Sequence, residues 1–398
     1  MVSILQTLPL CWPSANSVLS STRLGLPLLS CLTLPRVGVA DMATSEGEKK
    51  LKIFVTRSDY PTNGMELLEK RYELEVFNKG KSVLSKEEII QGIKGKSGIF
   101  CCVNDKIDKE VLKAAGPSLR VVSTMSVGMD HIDLDECRKL SIKVGYTPNV
   151  LTEATAELTM ALLLATSRRL FEAHSQLRTG GWGSWAPVWM CGPALKGSTV
   201  GLVGFGRIAQ EVARKIKVFN VAKILYTDTG KKPKTEVAAE LRFKIQDSRF
   251  KIQDFYWSLN NMAAELGAER VDLEALLAAS DFVISTCSLN PQSQGMFSAK
   301  RFALMKPTAM FINTGRGGLV DHDALYTALK NNKLWAAGLD VMTPEPLPTN
   351  HPLLDLPNCV LLPHIGSATY QSRMAMCEVT AKNIIAALED RTMPAEYI

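Results

Sequence analysis

Ten short apolar runs, spaced so that helical segments fit between most of them, constrain this chain more than any other feature. Lys52–Thr56 (KIFVT), Gly98–Val103 (GIFCCV), Leu119–Ser123 (LRVVS) and Lys143–Gly145 (KVG) form a first series, interleaved with helical segments at Met65–Arg71, Lys86–Gly92 and Asp108–Ala115. Ser198–Gly204 (STVGLVG), Lys223–Thr227 (KILYT), Phe282–Thr286 (FVIST), Ala309–Asn313 (AMFIN), Trp335–Val341 (WAAGLDV) and Cys359–Leu362 (CVLL) form a second series. Helices fit at Arg207–Phe219, Ser298–Leu304 and His322–Lys330. Runs that are apolar throughout need cover on both faces, and strands alternating with helices obtain it in a parallel sheet. The pattern predicts a doubly wound α/β fold. Thr152–Leu170 reads as a long amphipathic helix that crosses between the two series.

Size and charge narrow the function. At 398 residues the chain is long enough for two domains. Lys plus Arg number 46 against 40 Asp plus Glu, a formal charge of +6 without the clustered basic runs of a nucleic-acid groove. Apolar residues at 46% and charged residues at 22% exclude wholesale disorder. The richest apolar run, Leu158–Thr166, falls short of the roughly 18 residues that a membrane span needs. Nine cysteines with no C-x-x-C pair read as reduced thiols of an intracellular protein, with no disulfide framework and no metal site.

Two stretches stand apart from this pattern. Residues 1–40 hold Arg23 and Arg36, no acidic residue, and many Ser, Leu, Thr and Pro. They read either as a mitochondrial presequence or as an untargeted extension ahead of Met42, so the expected compartment is the cytoplasm, or the mitochondrion if residues 1–41 act as a presequence. Residues 1–48 are expected to be disordered, and the fold is expected to begin near Leu51. The second stretch is 241–265. Ala-Ala-Glu-Leu occurs at Ala238–Leu241 and again at Ala263–Leu266, enclosing a tandem repeat at Phe243–Asp247 and Phe250–Asp254. Removing 241–265 rejoins one helix-like segment, so the stretch reads as an insertion carried on the surface, where lengthening a loop costs only about 0.6 kcal/mol per doubling. Its five aromatic residues leave a docking surface as the other reading.

Gly204-Phe-Gly206-Arg207-Ile208-Ala209 is G-x-G-x-x-A between a strand and a helix. The first glycine permits the tight turn, and the second lets the backbone approach a pyrophosphate. The small Ala209 lets the helix pack on the strand, so the helix N-terminus faces the phosphates. Asp228, at the end of the next strand, stands where an acid would hydrogen-bond the adenosine ribose of NAD. Lys231 and Lys232 follow at once and suit the 2′-phosphate of NADP, or else lie in a solvated turn. Both cofactors remain open on these residues.

Three polar residues follow the carboxyl ends of three strands: Arg316 after Ala309–Asn313, Glu345 after Trp335–Val341, and His364 after Cys359–Leu362. Open α/β sheets bind ligands at that edge. A guanidinium grips a carboxylate bidentately and polarises the carbonyl beside it. An imidazolium donates a proton, and a neighbouring carboxylate favours its charged form. Together the residue types suit reduction of a 2-oxo acid; a surface Arg316–Glu345 ion pair and a capped His364 are the alternatives. His131 reads as a helix-start contact near the cleft, and His174, His322 and His351 as capping or surface residues. Cys287 and Cys359 read as core thiols.

From about Lys52 to Ile398 the chain resembles the D-isomer-specific 2-hydroxyacid dehydrogenases, and within them it is most similar to the glyoxylate reductase/hydroxypyruvate reductase branch. The resemblance rests on Ser123-Thr-Met-Ser-Val-Gly128, the glycine loop, Asn313-x-x-Arg316-Gly317, Gly338-Leu-Asp340 through Glu345-Pro346, and Pro363-His364-Ile-Gly366-Ser367. It implies two doubly wound parallel-sheet domains. One is a flavodoxin-like substrate domain built from residues 49–150 and 370–398, and the other a Rossmann cofactor domain over 151–369. It further implies that Arg316 binds the substrate, that His364 donates the proton assisted by Glu345, and that Val127 and Gly128 offer N–H groups to the carboxylate. Asp340 and Ser367 join that pocket, while Gly206, Arg207, Ile208, Ser288, Thr314, Asp340 and Gly366 line the cofactor; the residues themselves add Gly204 and, as alternatives, Asp228 or Lys231 and Lys232. The resemblance implies NADP(H), but this chain has Asp228-Thr229 where the branch usually has Gly-Arg, which keeps NAD(H) as the alternative. A homodimer acting on a small 2-oxo acid is implied, with the Trp182–Leu195 loop in or near the contact. A related branch with the same fold, the nucleotide-sensing corepressor type, binds peptides without turnover and is the competing function.

Overall fold

The computed structural model describes residues 50–77, 83–228 and 262–398. Residues 1–48, Lys231, Lys232 and the insertion up to residue 261 lie outside the described residues. Lys49–Ile398 is one compact unit that holds two parallel sheets.

The first sheet comprises β1 (Lys52–Val55), β2 (Glu73–Val76), β3 (Gly98–Cys101), β4 (Val121–Thr124) and β5 (Lys143–Gly145), in the spatial order β2-β1-β3-β4-β5. That is the flavodoxin-like order. The second comprises β6 (Thr199–Val203), β7 (Lys223–Thr227), β8 (Ala268–Arg270), β9 (Phe282–Ser285), β10 (Met310–Asn313), β11 (Ala336–Leu339) and β12 (Cys359–Leu361). Its order is β12-β11-β10-β9-β6-β7-β8, the Rossmann order with a seventh strand added at one edge. The chain thus has the two doubly wound domains that the resemblance implies. The apolar runs do not announce β2 and β8. Both are edge strands, and Glu73–Val76 and Ala268–Arg270 are largely exposed, so neither carries the pattern of a strand covered on both faces.

Each sheet buries an apolar cluster on both of its faces. On the first, Phe54, Ile99 and Val122 face one cluster, while Ile53, Val55 and Val121 face the other. The helix Tyr370–Leu388 returns to this sheet and packs Met376, Ala381 and Ile384 into the second cluster. Two buried polar ties fix it there: Ser123 Oγ donates to the Thr380 carbonyl at 3.0 Å, and Asn383 Nδ2 donates to the Tyr146 carbonyl at 3.0 Å. Leaving either group unpaired when buried costs about 1–3 kcal/mol, which makes this docking specific.

The helix expected over Thr152–Leu170 spans Thr152–Ser167, and only a narrow stripe of it, Glu153, Glu157 and Ala161, is exposed. Ala154, Ala156, Met160, Leu162, Leu163 and Ser167 are all buried, because the helix is enclosed between the Arg207–Lys217 helix and strands β10–β12. It ends where Arg169 takes a left-handed backbone at φ 54°, and a second helix, Leu170–Thr179, starts there.

Candidate active site

The carboxyl ends of both sheets open onto one cleft of about 1820 Å³. On the second-sheet side the glycine loop leaves β6. Gly204 has φ 86°, a conformation that disfavours any side chain, and a Cβ on it would lie 2.9 Å from the Cβ of Cys287. A Cβ on Gly206 would meet nothing within 4 Å, so the space ahead of the Arg207–Lys217 helix is free for a ligand to approach the backbone. Ala209 is fully buried among Val200, Val212 and Phe205, the close helix–strand packing for which a small residue is needed. The donor set and the open cradle fit a dinucleotide pyrophosphate.

Gly204, Gly206, Ile208, Asp228, Ser288, Thr314 and Gly366 line this cleft. Arg207 does not form part of the wall; its Nη1 donates to Asn149 Oδ1 at 2.7 Å, tying the loop to the segment after β5. Thr314 Oγ1 pairs with Thr159 Oγ1 at 2.9 Å. Beside the end of β7, Arg270 Nη2 donates to the Asp228 carbonyl at 2.9 Å, a cation that sequence reasoning missed because β8 carries no apolar run. Cys287 also lies beyond its strand, on the cleft wall.

Glu345 and His364 meet directly: Nδ1 of His364 lies 2.8 Å from Oε2 of Glu345. The other carboxylate oxygen, Oε1, accepts the Met342 N–H at 2.9 Å. Burial opposes ionisation of Glu345, but the hydrogen bond and charge of His364, the Met342 N–H and the nearby Arg316 outweigh it and hold its pKa below the usual carboxylate range. With Nδ1 committed to Glu345, Nε2 is the ring nitrogen left for a substrate. His364 itself has φ 53°, a left-handed backbone that costs a non-glycine residue about 1 kcal/mol or more. The loop is held in that state by Asp340, whose carbonyl accepts the His364 N–H and whose Oδ1 and Oδ2 accept the Ile365 and Gly366 N–H groups, all at 2.8 Å. Asp340 is buried, and that burial raises its pKa to about 6 despite these donors.

Arg316 joins the same cleft, but its carboxylate partner is Asp130 and not Glu345. Nε donates to Asp130 Oδ1 at 2.9 Å and Nη1 to the Gly315 carbonyl at 3.0 Å. Gly128 lies directly against it: a Cβ there would fall 1.8 Å from Arg316 Nη2 and would push the guanidinium out of its present position. Among the described residues the Val127 and Gly128 N–H groups have no acceptor, and both residues line the cleft together with Arg316. Ser367 lines that space as well. His131 bonds Thr124 Oγ1 at 2.9 Å through Nε2, and burial drives its pKa down to about 4, so its ring is neutral. Asp130 escaped the sequence reading because its partner lies 186 residues away. Arg57, Tyr60, Asn104 and Arg373 complete the first-sheet side and were also missed. No helix among the described residues is long and apolar enough to cross a membrane.

Comparison with known proteins follows the same lines. The NAD binding domain of D-isomer specific 2-hydroxyacid dehydrogenases matches residues 160–256 and 247–366. The chain is 46% identical over 347 residues to a glyoxylate reductase/hydroxypyruvate reductase of Mus musculus, an alignment covering 87% of this chain and 97% of that protein. Among solved structures, a protein from Thermus thermophilus superposes with a TM-score of 0.74 at 38% identity, covering 87% of this chain and 100% of that one. An NADPH-dependent glyoxylate/hydroxypyruvate reductase from Sinorhizobium meliloti, in complex with NADP and malonate, gives 0.69 at 28% identity and covers 87% and 97%.

Proposed function

Because this chain belongs to the D-isomer specific 2-hydroxyacid dehydrogenase family, we propose that it reduces glyoxylate and hydroxypyruvate to glycolate and D-glycerate with a nicotinamide cofactor. The observation that carries the reading is the 2.8 Å His364–Glu345 pair, placed in one cleft with Arg316 and an open glycine cradle. In this reading residues 49–150 and 370–398 form the substrate domain and 151–369 the cofactor domain.

The bound cofactor supplies a hydride. Arg316 and the Val127 and Gly128 N–H groups hold the substrate carboxylate, and Arg316 polarises the adjacent carbonyl. His364 gives its Nε2 proton to the carbonyl oxygen, and ionised Glu345 stabilises the imidazolium that precedes transfer. Asp340 holds the His364 loop in register and faces the carboxamide side of the ring; Ser367 closes the substrate pocket. Ile208, Ser288, Thr314 and Gly366 complete the cofactor wall. The Arg270 cation beside Asp228 supports NADP(H), as do Lys231 and Lys232 by their sequence position alone; Asp228 itself supports NAD(H) as the alternative. The exposed Trp182, Trp185 and Val188 supply an apolar patch suited to a second copy in a homodimer. The protein acts in the cytoplasm, or in the mitochondrion if residues 1–41 direct it there.

Purified protein given NADPH or NADH in parallel should oxidise the cofactor on addition of glyoxylate or hydroxypyruvate, faster with NADPH. His364→Ala should reduce kcat by about 100-fold or more. Nucleotide binding without turnover of any 2-oxo acid would instead place the chain with the corepressor-like proteins.

A further inference from the structure

Beyond Arg316, the cleft wall includes Arg57, Arg138 and Arg373; Arg138 is paired with Asp135 at 2.7 Å, and the other two differ in one respect. Arg57 is neutralised: its Nε and Nη2 both donate to Asp59 at 2.7 Å. Arg373 stands near the start of the helix Tyr370–Leu388. Among the described residues its guanidinium has neither a hydrogen-bond acceptor nor a carboxylate within ion-pair distance. The acids nearest in character are already engaged. Asp340 spends both oxygens on the Ile365 and Gly366 N–H groups, and Asp105 accepts from Thr56 Oγ1 at 2.7 Å and the Cys102 N–H at 2.8 Å. Burial pulls the Arg373 pKa down, partly offset by Cys102 and Asp340, yet a guanidinium stays charged throughout the ordinary pH range. The guanidinium nitrogens are not sealed away from the cleft, so an acceptor that enters it can pair with this cation, which no carboxylate neutralises.

The reaction assigned above leaves one kind of acceptor unaccounted for. Arg316 with the Val127 and Gly128 N–H groups takes the substrate carboxylate, and His364 takes the carbonyl oxygen. A two-carbon 2-oxo acid has no further polar atom. A three-carbon acid oxidised at its third carbon has one, and it must lie on the side of the cleft away from Arg316. We propose that Arg373 is a specificity-determining residue that donates to this third-carbon oxygen, so that the pocket selects 2-oxo acids bearing a hydroxyl or carboxylate at C3 over those with a hydrogen or methyl there. The inference rests on the 2-oxo acid reductase reading and refines it.

The test compares three substrates in the intact protein: glyoxylate, which lacks a third carbon; pyruvate, with a methyl; and hydroxypyruvate, with a hydroxyl. Arg373→Met should lower the hydroxypyruvate-to-pyruvate ratio of kcat/KM by about tenfold or more, mainly through KM, while glyoxylate turnover changes by less than about threefold. Arg373→Lys should recover part of the ratio, because it restores charge without the fork. Equal losses on all three substrates, or an unchanged ratio, overturn the proposal. If the methionine variant fails to fold, Arg373→Gln and Arg373→Lys read the same ratio. Absence of turnover by the unaltered protein on every 2-oxo acid would refute the reductase reading itself, whereas an active protein with an unmoved ratio refutes only the role of Arg373.

Discussion

The two walls of the cleft hold their charges in opposite ways. On the second-sheet wall the two acids are bound by their own neighbourhood, Glu345 by Met342 and His364 and Asp340 by the backbone of Ile365 and Gly366, while Arg316 takes its carboxylate from the facing wall. On the first-sheet wall Asp130 reaches across the cleft to Arg316, and Arg373 reaches no acid among the described residues. One wall is therefore assembled before any ligand arrives, and the other is completed by what lies between. Groups that act on the developing charge gain from such preorganisation, and groups that merely hold substrate have less need of it. Substitutions on the second-sheet wall should act on kcat, and those on the first-sheet wall on KM.

Glu345→Gln gives the sharpest test and the largest effect. The amide retains an acceptor for the Met342 N–H but presents no charge to His364, so kcat should fall by about 100-fold with KM nearly unchanged. Steady-state kinetics decide it; a rise in KM at constant kcat would break the contrast between the walls. Asp130→Asn should do the reverse. The Arg316–Asp130 pair is only about a quarter exposed, and losing its charge should cost about 1.4 kcal/mol of substrate binding, a tenfold rise in KM, with kcat within about threefold. If kcat falls instead, Asp130 positions Arg316 for the chemical step and the walls are less distinct than their hydrogen bonds imply.

The same division explains what could be read without coordinates. Arg316, Glu345 and His364 are legible because each follows an apolar strand by a few residues, and the parallel order brings strand ends to one edge. Glu345 and His364 are also close in sequence, 19 residues apart. Asp130 and Arg373 depend on how two sheets face each other, which no local pattern encodes. The strands show the same effect. The central strands announce themselves by being apolar on both faces, while β2 and β8 are polar because edge strands have less to bury. The Thr152–Ser167 helix shows the complementary case: it is covered on all but the narrow stripe of Glu153, Glu157 and Ala161, so its amphipathic pattern is faint.

A smaller effect separates the walls by the sign of their response to pH. Asp340 has its pKa raised to about 6 by burial, so the folded state holds that proton more tightly than the unfolded chain does. Its stabilising contribution is full below the ordinary carboxylate range and is lost as pH rises through 6. On the other wall His131 is pushed down to about 4, so the unfolded chain binds the proton that the folded protein refuses, and stability is lost as pH falls below the ordinary histidine range. Between about pH 4 and about pH 6 the two slopes oppose, each amounting to about 1 kcal/mol per pH unit. Stability from denaturant unfolding across that window should therefore rise more steeply with pH in Asp340→Asn than in the unaltered protein, and less steeply in His131→Asn. The asparagine at 340 satisfies only one of the two backbone N–H groups, so that variant should also be less stable throughout, which leaves the slope as the readout. Identical slopes in both variants would show that these two groups titrate in the folded protein as they do unfolded, and that neither wall is tuned by its burial.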